Sequence, residues 1–399
     1  MKHIMLCWEL GGGTGHLRKL LVLGQGLAVR GYRITLATRN VTTAEKLCHR
    51  LATEENFVVN YIQSPHWHTQ PGFTGLPQGF PEILAELGFY DVDCVAGLIR
   101  AWDNLFKQYK VDCVIGDYSP GSIMASHVVG IPAARVGTGF TCPPLTTPFP
   151  AVLLRKNSGR EALSKIEQRV LDTTNRALQR FSHQPFRTLA ETQATKREYL
   201  ATFNEMDHFG ERKDADYYGV YDLGQSEVEP VWPTMDAPKI FVYYHASYSK
   251  FAAVVESLAN SNYAVLLVAP GIGPDQARQL VRKNINICSR AVNLADVAQE
   301  ADLCITHGGH GAVAGLLLNG CKMLLCPMFN EQKILAIRLR QQNLAGLCEA
   351  PEQLTDQIPS ALADETMARK SRAFARRYRH WTGERQLGII LDDIERNLI

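Results

Sequence analysis

Residues 301–332, ADLCITHGGHGAVAGLLLNGCKMLLCPMFNEQ, decide how the fold is interpreted. A short apolar run ends at His307, three glycines follow at 308, 309 and 311, and an apolar helical pattern begins near Ala312. This order predicts a strand, a glycine turn and a helix N-terminus with unpaired backbone N–H groups. Because glycines let a ligand approach the backbone closely, the turn is suited to a phosphate group.

A second polar group ends the next strand of the same stretch. The apolar run KMLLCPMF, residues 322–329, is followed by Glu331 and Gln332. Ligands of open α/β sheets collect at the carboxyl ends of the strands. We therefore expect His307, Glu331 and Gln332 at one binding edge. Taken alone, HGG is equally a tight turn that carries a histidine.

Apolar runs alternate with helical patterns in both halves of the chain. The first half has HIMLCW, YRITLAT, VDCVIGD and IPAARVG, with helices expected at 15–30 and 42–52. The second half has KIFVYYHAS, YAVLLVAP and INIC, with a helix expected at 294–301. Such alternation predicts βαβ units in parallel sheets. We predict an α/β fold with two Rossmann-like, doubly wound domains, joined by a proline-rich linker.

Two segments interrupt the alternation. Residues 63–90 are rich in proline, glycine and aromatic residues, which predicts a long loop. Residues 155–200 are polar and helical in pattern, which predicts a solvated helical hairpin, with an acceptor-side or membrane-facing surface as the alternative.

The composition argues against a nucleic-acid partner. Among 399 residues, 42 Lys and Arg against 40 Asp and Glu leave a net charge of +2, and these charges are spread along the chain. A nucleic-acid binder needs a concentrated basic surface. The ten cysteines form no C-x-x-C pair and often lie in apolar runs, so we expect a reducing, cytoplasmic location.

The chain contains no candidate membrane span. The N-terminal apolar run lacks the cleavage site of a signal peptide, and no stretch approaches the roughly 18 apolar residues of a transmembrane helix. We expect no transmembrane segment, while peripheral contact with a membrane surface stays open.

The segment HGGHGAVAGLLLNGCKMLLCPMFNEQKILAIRL, residues 307–339, resembles the donor-binding segment of the UDP-glycosyltransferase superfamily. Members of this superfamily are inverting nucleotide-sugar transferases with the GT-B fold. They typically carry H-G-G-x-G-T, an apolar helix, G-x-P, an apolar strand, P and then D-Q or E-Q. The resemblance implies two facing Rossmann-like domains and a transferase activity.

The resemblance implies the domain bounds and the donor site. We expect an acceptor-binding domain at 1–225, a linker at 226–238, a nucleotide-sugar-binding domain at 239–378 and a helix at 379–399 that packs back on the first domain. The expected donor-binding residues are Thr14, Gly15, Ser247, Val292, His307, Gly308, Gly309, Gly311, Ala312, Glu331 and Gln332. Of these, His307 and the glycines would hold the diphosphate, Glu331 and Gln332 the sugar hydroxyls, and Val292 the base.

Three departures from the family pattern concern the nucleotide. Ala312 stands where a threonine or serine is usual, which removes a hydrogen bond worth roughly 0.5–1.5 kcal/mol. Gly315 replaces a common glutamate that grips the ribose, and RAVN at 290–293 lacks the aromatic residue and proline often found beside the base. These changes leave the identity of the nucleotide open.

The glycine-rich stretch GGGTGH, residues 11–16, fits neither nucleotide-loop pattern. A dinucleotide site needs G-x-G-x-x-G and an acidic residue at the end of the next strand, and a P-loop needs a lysine that Lys19 does not provide. In the resembling family, this turn presents a histidine that acts as a base. His16 would take that role, since an imidazole suits the deprotonation of a hydroxyl.

A base of this kind needs an orienting carboxylate. Asp117 ends the strand VDCVIGD, at the same sheet edge, and an aspartate at the corresponding position pairs with the histidine in the family. The alternatives are a helix-start role for His16, a turn role for Asp117, and Glu9 as the base. His66 and His68 lack Cys or His partners for a metal site, so we predict no metal and no cofactor.

These patterns predict a metal-independent, inverting glycosyltransferase. The donor would be a UDP- or dTDP-sugar, and the acceptor a small molecule, a lipid or a lipid-linked saccharide. The alternatives are a GT-B protein that binds nucleotide sugars without catalysis, and a nucleotide-sugar epimerase.

Overall fold

The structure is a computed structural model and describes residues 1–54, 57–66, 77–152, 160–222, 228–350 and 354–399. The chain divides into two compact units. Unit 1 contains Met1–Asp222 and Thr382–Ile399, and unit 2 contains Leu223–Trp381. Each unit is built on a six-stranded parallel sheet flanked by helices, which confirms the predicted fold class.

Unit 1 has its strands in the order β3-β2-β1-β4-β5-β6. The strands are β1 (His3–Trp8), β2 (Arg33–Thr38), β3 (Asn60–Gln63), β4 (Cys113–Asp117), β5 (Ala133–Gly137) and β6 (Arg197–Leu200). The helices are α1 (Gly15–Val29), α2 (Val41–Glu54), α3 (Phe80–Leu84), α4 (Val92–Tyr109), α5 (Pro120–Val129) and α6 (Arg160–Leu178). This is the strand order of a Rossmann domain.

β1 is the central strand of unit 1, and all six of its residues are buried. Ile4 and Leu6 pack into the apolar cluster on one face of the sheet, and Met5 and Cys7 pack into the cluster on the other. A parallel strand covered on both faces reads as a continuous apolar run, which is why HIMLCW was recognisable as a strand.

Unit 2 repeats the same topology with the order β12-β11-β10-β7-β8-β9. Its strands are β7 (Lys239–Tyr243), β8 (Ala264–Val268), β9 (Ile285–Cys288), β10 (Leu303–Thr306), β11 (Met323–Leu325) and β12 (Gly346–Leu347). Its helices are α7 (Phe251–Ala259), α8 (Pro274–Leu280), α9 (Leu294–Glu300), α10 (His310–Leu318), α11 (Asn330–Gln341), α12 (Leu354–Leu362) and α13 (Glu365–Arg377).

Two local predictions for unit 1 are wrong. Residues 155–200 form no helical hairpin in their described part, because one helix, α6, is followed by short helical turns and then by β6. The apolar face of α6 is buried, with Val170 and Ala177 fully covered. Part of the predicted loop 63–90 is helical, since it contains α3; residues 67–76, with His68, lie outside the described residues.

The last helix, α14 (Gly383–Asn397), packs on unit 1. Ile390 and Leu391 join the apolar cluster beneath α1. Asp393 accepts a hydrogen bond from the Tyr199 hydroxyl at 2.8 Å and lies 3.0 Å from Arg197 Nε. At Gly26 of α1, an added Cβ would lie 2.6 Å from Leu391 Cδ1, so the two helices approach where α1 has no side chain.

Replacing Gly26 by valine is expected to destabilise unit 1. The new side chain overlaps the buried Leu391, and overpacking of this kind costs about 1–3 kcal/mol. The measurement is the free energy of unfolding from urea denaturation followed by circular dichroism.

The matched control is Gly97→Val, in α4. This glycine is exposed and an added Cβ there meets nothing within 4 Å, so its replacement is expected to be neutral or slightly stabilising. Equal losses of stability in the two variants would contradict the close contact between α1 and α14.

Candidate active site

In the first sheet the strand order reverses between β1 and β4, and two loops leave the sheet there. Trp8 at the end of β1 lies opposite Asp117 at the end of β4. The chain then turns through Gly11 and Gly13, whose φ angles of +85° and +76° favour glycine, and enters α1 with His16 in its first turn. Ligands of open α/β sheets bind at such reversal points.

Asp117 contacts two basic side chains of α1, and the predicted pair of His16 and Asp117 is brought together. His16 Nδ1 lies 3.1 Å from Asp117 Oδ2, and Lys19 Nζ donates to the same oxygen at 3.1 Å. Burial raises the pKa of Asp117, but the charges of Lys19 and His16 outweigh it and lower the pKa to about 2. The carboxylate is therefore ionised at neutral pH and faces Nδ1 of the imidazole.

Two aromatic rings pack against the imidazole. The His16 ring stacks on Trp8, with centroids 5.5 Å apart, and on Tyr118, with centroids 6.1 Å apart. Tyr118 has a φ of +49°, a strained value for a residue with a side chain. At Gly11 an added Cβ would lie 2.6 Å from His16 Nε2, so the glycine turn leaves room for the ring.

Lys19 is a residue of this site that the sequence analysis did not identify. Its side chain is only 7% exposed, and its pKa is raised: burial lowers it, and the carboxylates of Asp117 and Asp222 raise it by more. The signal was present in the sequence, because Lys19 follows His16 by three residues on an apolar helix and shares its face.

Glu9, the alternative base, has a structural role. The indole of Trp102 donates to Oε1 at 2.6 Å, and the Gly121 N–H donates to Oε2 at 2.7 Å. Glu9 thereby binds the N-terminal turn of α5. The pKa of Glu9 is raised to about 7, because the effect of burial outweighs the hydrogen bonds from Trp102 and Gly121, which lower it.

In the second sheet the strand order reverses between β7 and β10, and His307 follows β10 directly. Its ring stacks on Tyr243 with centroids 5.3 Å apart. The pKa of His307 is lowered, because the effect of burial outweighs those of the Tyr243 carbonyl and the Glu331 carboxylate, which raise it. The imidazole is therefore mainly neutral at pH 7 and can donate or accept a hydrogen bond.

The glycine loop after His307 leads into α10, as predicted. Gly308 has a φ of +85°, and its N–H is used inside the turn, where it donates to Thr306 Oγ1 at 3.0 Å. Gly309 is the N-cap residue, and no described side chain caps the helix there. The first turn, which includes Gly311 and Ala312, presents backbone N–H groups at the helix N-terminus, an arrangement that suits an anion.

Glu331 and Gln332 begin α11 beside this loop. Gln332 Oε1 accepts hydrogen bonds from the backbone N–H groups of Met328 at 2.9 Å and Phe329 at 3.3 Å. An added Cβ at Gly308 would lie 3.6 Å from Gln332 Cβ, so the two loops are adjacent. The oxygen of Gln332 thus caps α11, and its NH₂ group takes no part in this cap.

The other predicted donor residues lie in other segments of the chain. Ser247 follows β7 and contacts His245. Val292 is buried and pairs with Val228 in an isolated bridge. Thr14 is exposed and precedes α1, which begins at Gly15.

The described residues contain no group of three or more His, Cys, Asp or Glu side chains placed to hold a metal ion. None of the described helices combines the length and the apolar character required to cross a bilayer.

Residues 252–380 match the model of the glycosyltransferase family 28 C-terminal domain. The search of curated proteins finds no match. Among solved structures, the glycosyltransferase of kitacinnamycin aligns with 100% of this chain and 99% of its own, at 18% identity and a TM-score of 0.66. Glycosyltransferase VinC in complex with DTDP aligns with 99% and 100%, at 14% identity and a TM-score of 0.64.

A third similar structure is the spinosyn rhamnosyltransferase SpnG complexed with spinosyn aglycone. It aligns with 97% of this chain and 98% of its own, at 13% identity and a TM-score of 0.62. At these identities the structural matches show the fold. Together with the match of residues 252–380, they confirm the predicted GT-B fold and the resemblance to glycosyltransferases.

Lys19→Met is expected to destabilise the protein by about 3 kcal/mol, because it removes one partner of a buried ion pair. Lys165→Met is the matched control. It breaks the exposed pair with Glu161 and is expected to cost less than about 0.5 kcal/mol. Urea denaturation measures both variants, and similar small losses would show that Lys19 does not stabilise Asp117.

Glu9 is expected to make stability fall as the pH rises from 4.5 to 7. The ordinary pKa of a glutamate is 4.5, and burial raises that of Glu9 to about 7 in the folded protein, which therefore keeps a proton that the unfolded chain has lost. Glu9→Gln is expected to remove up to roughly 1.4 kcal/mol per pH unit of this dependence. The measurement is the unfolding free energy of both proteins at pH 5, 6 and 7. Parallel curves would contradict the prediction.

Proposed function

We propose that the protein transfers a sugar from a nucleoside diphosphate sugar to an acceptor hydroxyl, with inversion at the anomeric carbon and without a metal. The observation that carries the proposal is that each sheet has groups suited to one part of the reaction at the point where its strand order reverses. The first has a histidine held by a buried carboxylate, and the second has a glycine loop that opens a helix.

Unit 2 supplies the donor site. The first turn of α10 offers backbone N–H groups and the positive end of a helix dipole, and His307 adds an imidazole beside it. These groups bind the diphosphate and stabilise the charge that it gains as it leaves. Glu331 accepts hydrogen bonds from sugar hydroxyls, and the NH₂ group of Gln332 donates to them.

Unit 1 supplies the base. Asp117 faces Nδ1 of His16, so Nε2 accepts the proton of the acceptor hydroxyl. The hydroxyl oxygen then forms a bond to the anomeric carbon, while the bond from that carbon to the diphosphate oxygen breaks and the diphosphate leaves with the electron pair. A single displacement of this kind inverts the anomeric centre.

The similar structures support a choice of substrates. VinC is in complex with DTDP, which supports a pyrimidine nucleoside diphosphate, dTDP or UDP, as the donor nucleotide. SpnG is complexed with an aglycone, which supports a small apolar acceptor, with lipids and lipid-linked saccharides as further candidates. None of the ten cysteines, all of which lie in the described residues, forms a disulfide, which supports a cytoplasmic location.

His16→Ala is expected to lower the transfer rate at least 100-fold, because general base catalysis contributes about 10²–10⁴. The assay incubates UDP-, dTDP- and GDP-sugars with a panel of aglycone and lipid acceptors in the presence of EDTA. It follows release of the nucleoside diphosphate and the configuration of the product.

His49→Ala is the control, since this exposed histidine lies on α2 away from the site. Equal turnover of the two variants would exclude His16 as the base. Thermal stabilisation by nucleotide sugars without turnover on any acceptor would favour a silent binding protein, and release of a free 2-epimerised sugar would favour an epimerase.

A further inference from the structure

A second histidine stands at the reversal point of unit 2, and the resemblance gives it no role. β7 ends at Tyr243, which lies opposite Thr306 at the end of β10. The chain continues from β7 into His245 and Ser247, and from β10 into His307. His245 therefore follows one strand of the reversal point, and His307 follows the other.

The hydrogen bonds of His245 determine which ring nitrogen carries the proton. The backbone N–H of Ser247 lies 3.2 Å from His245 Nδ1, and Ser247 Oγ lies 2.7 Å from the same atom. A backbone N–H can only donate, so Nδ1 is the acceptor. The neutral imidazole therefore carries its proton on Nε2 and presents an N–H donor there.

The ring of His245 is also fixed in position. Gly271, in the loop after β8, has a φ of +84°, and a Cβ added there would lie 3.0 Å from the Cε1 atom of His245. Ala246 donates its N–H to the Pro270 carbonyl at 3.0 Å, which ties this turn to the same loop. The side chain is nevertheless exposed, so a ligand can reach it.

His245 and His307 follow two neighbouring parallel strands and so lie at the same edge of the sheet. A charge on His245 lowers the pKa of His307, so the two rings are within electrostatic range. His307 opens the glycine loop, in which Gly309 is the N-cap residue of α10. Ala312, in the first turn of that helix, has no hydroxyl to offer a phosphate.

We propose that His245, oriented by Ser247, donates a hydrogen bond from Nε2–H to a phosphate oxygen of the donor. This rests on the proposed function and adds a second imidazole to the diphosphate site, where it takes over the hydrogen bond that Ala312 lacks. Ser247 is then a positioning residue, since its hydroxyl and its N–H both contact the ring.

The test is the affinity for nucleoside diphosphates, measured by isothermal titration calorimetry with dTDP and UDP. His245→Ala is expected to weaken binding about tenfold, the effect of losing a hydrogen bond to a charged group. Thymidine and uridine, which lack phosphate, are expected to bind the wild-type protein and the variant equally.

Two near-isosteric variants distinguish the contributions of the two ring nitrogens of His245. In His245→Gln the amide NH₂ stands near the position of Nε2, and most of the affinity is expected to return. In His245→Asn it stands near Nδ1, and the affinity is expected to stay low. Ser247→Ala is expected to weaken binding about threefold in the wild-type background and not at all with His245→Ala.

His380→Ala is the matched control, an exposed histidine of unit 2 in the segment after α13. If His245→Ala binds dTDP and UDP as tightly as this control, His245 has no contact with phosphate. The proposed role of His245 is then wrong, while the proposed function is unaffected. If His245→Ala loses affinity for nucleosides and for nucleoside diphosphates to the same extent, His245 has a structural role, and the proposal is also overturned. If the wild-type protein binds no diphosphate at all, the proposed function fails, and the role of His245 with it.

Discussion

The reversal of strand order in a parallel sheet is the constraint on which both units depend. β1 and β7 are the first strands of their sheets, yet each lies in the middle, with its second strand on one side and its fourth on the other. The loops that leave the first and fourth strands therefore go to opposite faces and open a crevice at the carboxyl edge. The groups assigned to base catalysis and to phosphate binding all follow one of these four strands.

Electrostatics then distinguishes the two crevices. In unit 1 the carboxylate of Asp117 lies among apolar side chains, and two basic groups on one helix face offset the cost of burying it. Lys19 lowers the pKa of this carboxyl group most, and His16 lowers it further. In unit 2 the groups proposed to bind an anion are backbone dipoles and imidazoles, which carry no permanent charge.

The sequence predicted the features that depend on local pattern. Apolar runs such as HIMLCW and the glycine turns at residues 11–16 and 308–311 identified the strands, the crevice loops and the pairing of His16 with Asp117. It did not predict features that depend on packing from distant segments. The polar pattern of α6 predicts a solvated helix, but its apolar face packs against α3 and α4. The roles of Glu9, Lys19 and the Gln332 oxygen depend on contacts with residues that the sequence pattern does not identify.

The position of α14 has a consequence for the order in which the chain folds during synthesis. Unit 1 is interrupted in sequence, because residues 382–399 complete a domain that begins at residue 1, and all of unit 2 is made between them. Domains generally fold as they leave the ribosome. Unit 2 can therefore fold while unit 1 still lacks one helix, and the apolar surface that later covers Ile390 and Leu391 stays open to other chains and to chaperones until residues 382–399 emerge.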